Sequence, residues 1–495
     1  MEVVFMTLKE CIKNEIKKIG VNEDTWNDKN LSRLFAGICH SMLRYVPQSK
    51  SWYYYKKGVW RRDVEDLQAK KLAKIFTDAL QAYCYEINAL ESVLVRVKML
   101  DSKGKRDTML ADAKCEMVTH LADFDKNPNV LNVSNGTLNL STFQLENHKP
   151  GDLLSKICNV YYDKAARCER WEQFIDEITE GDKEKADYIQ RVLGYALTGN
   201  VQEEEFYIFY GSKTRNGKST LLTTIAYLLN SGDEGYAANA NAVTFSGKTE
   251  RKGSSPSNDI ARLAGVRFVV TSELPRSMLL NHEMIKSITG RDKITARYQY
   301  GRDFEFYPQF KLVMSTNSLP LITDSSIFDS NRVRVVEFTR HFTKNEQDPT
   351  LKDMMRQPKN LSGILNWLLD GLKKAQTNGM NPPEAVIQST ERYRQNFDKL
   401  TNFISDCLER SENNITMSTL YRVYQKWANE NKIACEGKQA FKQNLIAKNL
   451  FSETGTVNGK TERNVIKGFS IKREYLSERA YKATVSETVT PDRTD

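Results

Sequence analysis

The chain is 495 residues long, with 40% hydrophobic and 27% charged residues and a formal net charge of +9. At ordinary domain sizes that length predicts roughly three or four domains, and the composition excludes a disordered chain. No stretch approaches the roughly 18 consecutive apolar residues of a membrane span. Met1-Glu2 and the short apolar patch after it lack the basic start and apolar run of a secretion signal, so a cytoplasmic protein without a membrane partner is expected.

Eight cysteines are scattered singly from Cys11 to Cys435, with no CxxC pair and only five histidines in the chain. Reduced, mostly buried thiols are expected, not a zinc site or a disulfide framework. The positive balance suits a partner that carries phosphates, because Lys and Arg displace its condensed counterions. A merely solvated basic face would look the same in composition.

In chain order, residues 1–125 read as mostly helical with one aromatic interruption, Ser51 to Trp60, where Gly58 predicts a hairpin turn. Residues 126–200 begin with Val130 to Leu140, which alternates around Asn135-Gly136, a strong short-range hairpin signal. They continue with Trp171, Phe174, Ile175, Ile178, Ile189, Val192 and Leu193 at helical spacing, a helical collar. In residues 201–345 short apolar strands alternate with helices, the pattern of an α/β sheet domain. Residues 346–400 read as a helical extension, 401–472 as a separate small domain, and 473–495 as a disordered polar tail.

The third segment carries the chemistry. Phe206 to Tyr210 is an apolar strand. Gly211-Ser212-Lys213-Thr214-Arg215-Asn216-Gly217-Lys218-Ser219-Thr220 follows at once, and Leu221 to Leu229 continues as a helix. This is the GxxxxGK[ST] pattern in a strand-loop-helix setting, expected to bind ATP with Mg2+. The glycines let successive N–H groups and the helix N-terminus face phosphates, while Lys218 reaches the β and γ phosphates and the Ser219 hydroxyl reaches Mg2+. A glycine-rich turn without function is the alternative.

Such a loop needs an acid at the end of a neighbouring strand. Val266 to Glu273 offers Glu273, placed to orient or deprotonate the attacking water and counted with Ser219 in the metal site. Position 272 is serine where a second acid often stands. A third strand, Phe310 to Asn317, ends in an amide that can hold the water or sense the γ-phosphate. An asparagine before Leu319-Pro320 also fits plain turn chemistry.

The run Asp259 to Glu273, followed by Ile285 to Arg297, resembles the superfamily 3 helicase core of the phage/plasmid primase-helicase family, which D5-like poxvirus and other large-virus proteins share. Residues 130–340 carry the likeness, through NGKST, SEL, IKxxTGxDxIxAR and STNxxP in that order. The resemblance implies an AAA+-like ATPase core in a homo-hexameric ring that translocates on single-stranded or forked DNA, in the cytoplasm of a bacterial host of a phage or mobile element. It implies catalytic roles for Lys218, Glu273, Asn317 and a trans-acting arginine, for which Arg332 matches and Arg334 stays a candidate. It also implies a DNA-gripping hairpin after Lys286. Locally, Ile294 to Tyr300 and Phe304 to Tyr307 are β-rich runs joined by Gly301-Arg302-Asp303, so Arg297, Tyr300 and Arg302 could hold phosphates and stack on bases.

In the last domain, helical patterns over Leu420–Trp427 and Lys438–Ile446 precede two strands over about Phe451–Ile471, with Gly455 and Asn458-Gly459 at the turn. This suggests a winged helix with Lys438, Lys442, Lys460 and Arg463 facing DNA, or else a ring-packing or protein-binding domain. Residues 1–125 lack an obvious DxD or HxH cluster, so a helicase without its own primase is expected, with a separate primase or other replisome proteins as partners. Two rival readings are an ATPase that loads or remodels proteins on DNA without unwinding, and an ATP-gated origin-binding initiator.

Overall fold

The computed structural model describes residues 2–475 apart from 22–24, 231–233, 247–256, 272–273, 275–277, 298, 300–302, 321, 323–325 and 432–434. Helices α1 (Glu2–Ile19) and α2 (Asp28–Cys39) lead into strands β1 (Leu43–Val46), β2 (Ser51–Lys56) and β3 (Val59–Arg62). The β2–β3 turn falls on Lys57 and Gly58, both at positive φ (52° and 80°), as a tight two-residue hairpin demands. Helices α3 (Leu67–Glu86), α4 (Glu91–Lys98) and α5 (Lys103–Glu116) close a helical core around Phe35, Phe76 and Leu80.

Strands β4 (Val130–Val133), β5 (Gly136–Asn139) and β6 (Gln144–Glu146) follow. The expected hairpin forms, but Val133 pairs with Gly136, so its turn is Ser134-Asn135 and not Asn135-Gly136. Tertiary contacts decide this. The Asn135 amide accepts from the Tyr162 N–H at 2.8 Å and donates to its carbonyl at 2.9 Å, while a Cβ on Gly136 would meet the Glu146 carbonyl at 2.4 Å.

Helices α6 (Glu169–Thr179) and α7 (Lys183–Tyr195) form the collar, and all seven residues of its apolar stripe are buried. Next come β7 (Phe206–Tyr210), α8 (Lys218–Leu229), β8 (Ala237–Asn239), α9 (Asn258–Ala261), β9 (Phe268–Thr271), α10 (His282–Thr289), β10 (Ile294–Arg297), β11 (Asp303–Phe306), β12 (Lys311–Thr316), α11 (Ser326–Asp329) and β13 (Val333–Glu337). Five of these strands make one parallel sheet in the order β13-β7-β12-β9-β8.

Side chains alternate across this sheet with the period of two that a strand imposes. Tyr207, Phe209, Val270, Val313 and Val336 join the core beneath α6, α7, α8 and α13 (Pro358–Asn378). Phe206, Ile208, Val269, Leu312, Met314 and Val335 join the core on the other face, with α10, α11 and β10. Both faces are buried, which explains the near-continuous apolar strands. The collar, the sheet and the helical stretch after residue 346 thus share one core. Backbones approach closely there: a Cβ on Gly371 would meet the Gln190 carbonyl at 2.1 Å.

After the short helix α12 (Leu351–Met355) and α13, helix α14 (Glu384–Cys407) runs unbroken across residue 400, where a domain border was expected. It enters a unit of β14 (Leu408–Thr416), α15 (Met417–Glu430), α16 (Lys438–Ala447), β15 (Phe451–Val457) and β16 (Lys460–Ile471), with sheet order β14-β16-β15. The β15–β16 turn is Asn458-Gly459, whereas Gly455 lies within β15 opposite Glu462. Tyr475 still packs on this core, and the rest of the expected tail, residues 476–495, lies outside the described residues. Cys39, Cys84, Cys158, Cys168 and Cys407 are buried free thiols. No described helix is long and apolar enough to cross a membrane.

Candidate active site

In a parallel sheet, ligands sit at the carboxyl ends of strands where neighbouring connections leave to opposite faces. Here that place is between β7 and β12: α8 after β7 packs into one core, and α11 after β12 packs into the other. The glycine-rich loop and Asn317 both start from this edge. The Gly211 N–H donates to the Thr316 carbonyl at 3.2 Å, tying the loop to the end of β12.

Both loop glycines are required. Gly217 has φ 84°, and a Cβ there would meet Ile178 of α6 at 2.3 Å; a Cβ on Gly211 would meet the Asn216 amide at 2.2 Å and Lys218 Nζ at 2.7 Å. The segment after β13 braces the loop from outside. The Phe342 N–H donates to the Arg215 carbonyl, and a ring N–H of His341 donates to the Thr214 carbonyl, both at 2.8 Å. Asn216 closes the loop on itself by donating to the Lys213 carbonyl at 2.8 Å. Helical spacing marked Ile178 only as a collar residue and no local pattern marked His341; both reach the loop from distant elements.

Lys218 is the electrostatic centre. It is 3% exposed, and Nζ donates to Asn317 Oδ1 at 3.2 Å and to the Gly211 carbonyl at 3.5 Å. No carboxylate among the described residues pairs with it, and burial pulls its ammonium down to about 8. A buried cation held only by dipoles is costly, and an anion entering the loop would relieve that cost. The rest of the loop matches an anion: Ser212 to Arg215 and Ser219 are exposed, and the first turn of α8 carries no acid. Ser219 is thus open to a metal and a phosphate together.

Glu273 and Ser272 lie outside the described residues, but β9 brings the chain to the right edge. It ends at Thr271, buried beside Met314 of β12, and the Thr271 hydroxyl has no hydrogen-bond partner among the described residues.

Arg332 lies elsewhere. Val333 pairs with Phe206 and Glu337 with Tyr210, so Arg332 sits at the amino edge of the sheet, roughly 17 Å along the strands from the end of β7 where the loop begins. Its guanidinium meets Glu204 at 2.6 Å and the Thr289 hydroxyl at 2.9 Å. Arg334 is held in the same way, by an ion pair at 2.6 Å with Glu205, whose side chain is 5% exposed.

The expected hairpin forms, with Ile294 pairing Phe306 and Arg297 pairing Asp303. The Arg297 guanidinium also meets the Asp303 carboxylate at 3.6 Å. Tyr300 and Arg302 of its tip lie outside the described residues, and Lys286 is half-buried in the last turn of α10. In the C-terminal unit Lys438, Lys460 and Arg463 are exposed. Lys442 instead bridges α16 to the β15–β16 hairpin, donating to Asn464 Oδ1 at 2.8 Å and lying over the Phe451 ring.

The fold and this edge define an α/β protein whose parallel sheet presents a glycine-rich, lysine-bearing loop at its topological switch point. Residues 32–180 match the family described as D5 N terminal like, and residues 209–332 match a family of unknown function. A protein of Acanthamoeba polyphaga mimivirus named as a helicase is 29% identical over 335 residues, covering 63% of this chain and 34% of its own. A protein of African swine fever virus named as a primase is 24% identical over 358 residues, covering 66% and 36%. The chain therefore spans about a third of the length of these relatives. An apo structure of the NrS-1 C-terminal region aligns with TM-score 0.43 and 11% identity over 86% of this chain and 96% of that one, too distant to argue from. Through these matches the chain is similar to the D5-like primase-helicase family.

Proposed function

We propose that this chain is the ATP-hydrolysing helicase part of a viral or mobile-element replication protein, an AAA+-like P-loop ATPase that works on DNA as a homo-hexameric ring. The observation that carries the reading is Lys218, a buried cation with no carboxylate partner among the described residues, set beside Asn317 at the switch point of the sheet. ATP supplies the missing anion: backbone N–H groups of Gly211 to Thr220 cradle its phosphates and Lys218 meets the β and γ oxygens. Mg2+ would be held by the Ser219 hydroxyl and phosphate oxygens, with Glu273 nearby, and would neutralise charge as the γ-phosphoryl leaves. Glu273 orients or deprotonates the attacking water, and Asn317, held by Lys218, senses the γ-phosphate.

Arg332 lies at the far edge of its own sheet, so on this reading it would serve the nucleotide of a neighbouring subunit. On this reading the ring completes the site, with Arg332 stabilising transition-state charge in trans. Lys286, Arg297, Tyr300 and Arg302 hold the strand in the central channel. The C-terminal unit acts as a winged helix, with α15 and α16 as its helices, the β15–β16 hairpin as its wing, and Lys438, Lys460 and Arg463 toward DNA phosphates.

Unwinding of a forked DNA by the full chain, with ATP and with a non-hydrolysable analogue, tests this. Unwinding with ATP alone is expected. Hydrolysis without strand separation would replace the helicase by a protein loader, and DNA binding gated by either nucleotide without turnover would replace it by an initiator.

A further inference from the structure

The N-terminal helical unit holds a second feature suited to phosphates, far in sequence from the loop at Lys218. A cleft of about 200 Å³ opens between α3 and α5, lined by Lys70, Lys74, Lys103, Arg106, Asp107 and Leu110. Four cations against one carboxylate leave its walls strongly positive. Lys70, Lys74 and Lys103 are exposed, while Leu110 is buried at the floor. Arg106 is fixed on the wall by donating from Nη1 to the carbonyls of Leu100 and Asp101 at 2.6 and 2.7 Å. Lys70 is steadied by the Glu65 carbonyl at 2.8 Å.

Among the described residues Asp107 forms no ion pair with any of the four, and Lys74 and Lys103 have no hydrogen-bond or ionic partner. The electrostatics of α5 point the same way. Its first turn carries no acid, Ser102 at its N-cap makes no side-chain capping bond, and a Cβ on Gly104 would meet only the Ser102 hydroxyl, at 3.9 Å. Cations crowded at the positive end of an uncapped helix oppose the usual preference, so their placement is not explained by helix stability. An anion in the cleft would satisfy both the helix end and the side chains.

We propose that this cleft is an accessory phosphate site that grips the sugar-phosphate backbone of single-stranded DNA. The inference rests on the DNA reading given above but not on the ATP site. The alternative source of the same chemistry is a free phosphate compound, and the two are separable.

The test compares three full-length proteins: wild type, Lys74→Gln/Lys103→Gln, and a control Lys13→Gln/Lys17→Gln that removes the same charge from exposed positions on α1. Binding to fluorescein-labelled oligo-dT is followed by anisotropy across a potassium chloride series. Losing two phosphate contacts should weaken the cleft variant on the order of tenfold at low salt, and lower the slope of log affinity against log salt by about 1.4. The control should match wild type, and ATPase without DNA should be unchanged in all three. Equal affinity and slope in the cleft variant and wild type overturn the proposal, as does an equal loss in the control. Thermal stabilisation of wild type but not the cleft variant by pyrophosphate, with no change in DNA binding, assigns the cleft to a small free ligand and also overturns it. A wild type that binds no oligo-dT would defeat the DNA reading itself.

Discussion

Replacing Lys218 by methionine should abolish ATPase and at the same time stabilise the nucleotide-free protein at neutral pH. The side chain is buried, its acceptors are the Asn317 amide oxygen and the Gly211 carbonyl, and its ammonium falls from the ordinary 10.5 to about 8. At about 1.4 kcal/mol per tenfold, the full difference is about 3 kcal/mol against the charged form. Solvent reaching the ammonium reduces this to about 1–2 kcal/mol. The sign follows from proton binding. The folded value lies below the unfolded one, so between about 8 and 10.5 the unfolded chain holds the proton more tightly, and wild-type stability rises with pH across that window. Below about 8 the cost of the buried charge is fully present. Methionine keeps the apolar stem and removes the charge. Lys218→Met should therefore melt a few degrees above wild type at pH 7, with the gap closing towards pH 10.5. Differential scanning fluorimetry across pH, with and without Mg-ATP, reads all of this, and ATP should raise the melting temperature of wild type only. A variant less stable than wild type at pH 7, or a gap independent of pH, refutes the argument that Lys218 is a buried cation awaiting an anion.

Gly217→Ala puts a Cβ at φ 84° and 2.3 Å from Ile178, so it should cost at least about 1–2 kcal/mol of stability and most nucleotide affinity, checked by urea unfolding and nucleotide titration. Arg332→Ala should still bind ATP but hydrolyse it on the order of 10³-fold more slowly, and mixing it with Lys218→Ala should restore some activity, because mixed rings pair one intact Lys218 with one intact Arg332. No recovery in rings shown by native mass spectrometry to be mixed would remove Arg332 from the site. Lys311 is buried in β12 with its ammonium donating to the carbonyls of Thr198, Asn200 and Gln309 and lying over Tyr195. Lys311→Met leaves those carbonyls without their shared donor and should destabilise the sheet in urea unfolding, by more at alkaline than at neutral pH, because burial holds this ammonium well below its ordinary value and wild-type stability therefore rises with pH.

Much of the local architecture could be read from the chain directly. The strand from Phe206, the loop from Gly211 and the helix from Lys218 follow from an apolar run, two glycines and a helix-forming stretch within a few residues of one another. The collar's apolar stripe is likewise buried as its helical spacing requires. The hairpins at Gly58 and around Arg297 follow from turn residues between β-rich runs. These features are legible because each depends on backbone geometry and side-chain period over one element.

Tertiary structure decided what depends on distant partners. Asn317 lies 99 residues from Lys218, and only the order of the parallel sheet makes them neighbours. The same order puts Arg332 at the opposite edge, where it and Arg334 meet Glu204 and Glu205. Arg267 and Lys311 read locally as charges interrupting apolar strands. In the fold Arg267 donates to the Leu197 carbonyl at 2.7 Å and Lys311 to the Asn200 carbonyl at 2.8 Å, so both fasten the end of the collar to the base of the sheet. The turn before Gly136 moves by one residue because Tyr162 claims the Asn135 amide. In each case the deciding energy is a hydrogen bond, an ion pair or a contact with a residue tens to more than a hundred positions away, and a buried charge or amide is stable only where such a partner meets it.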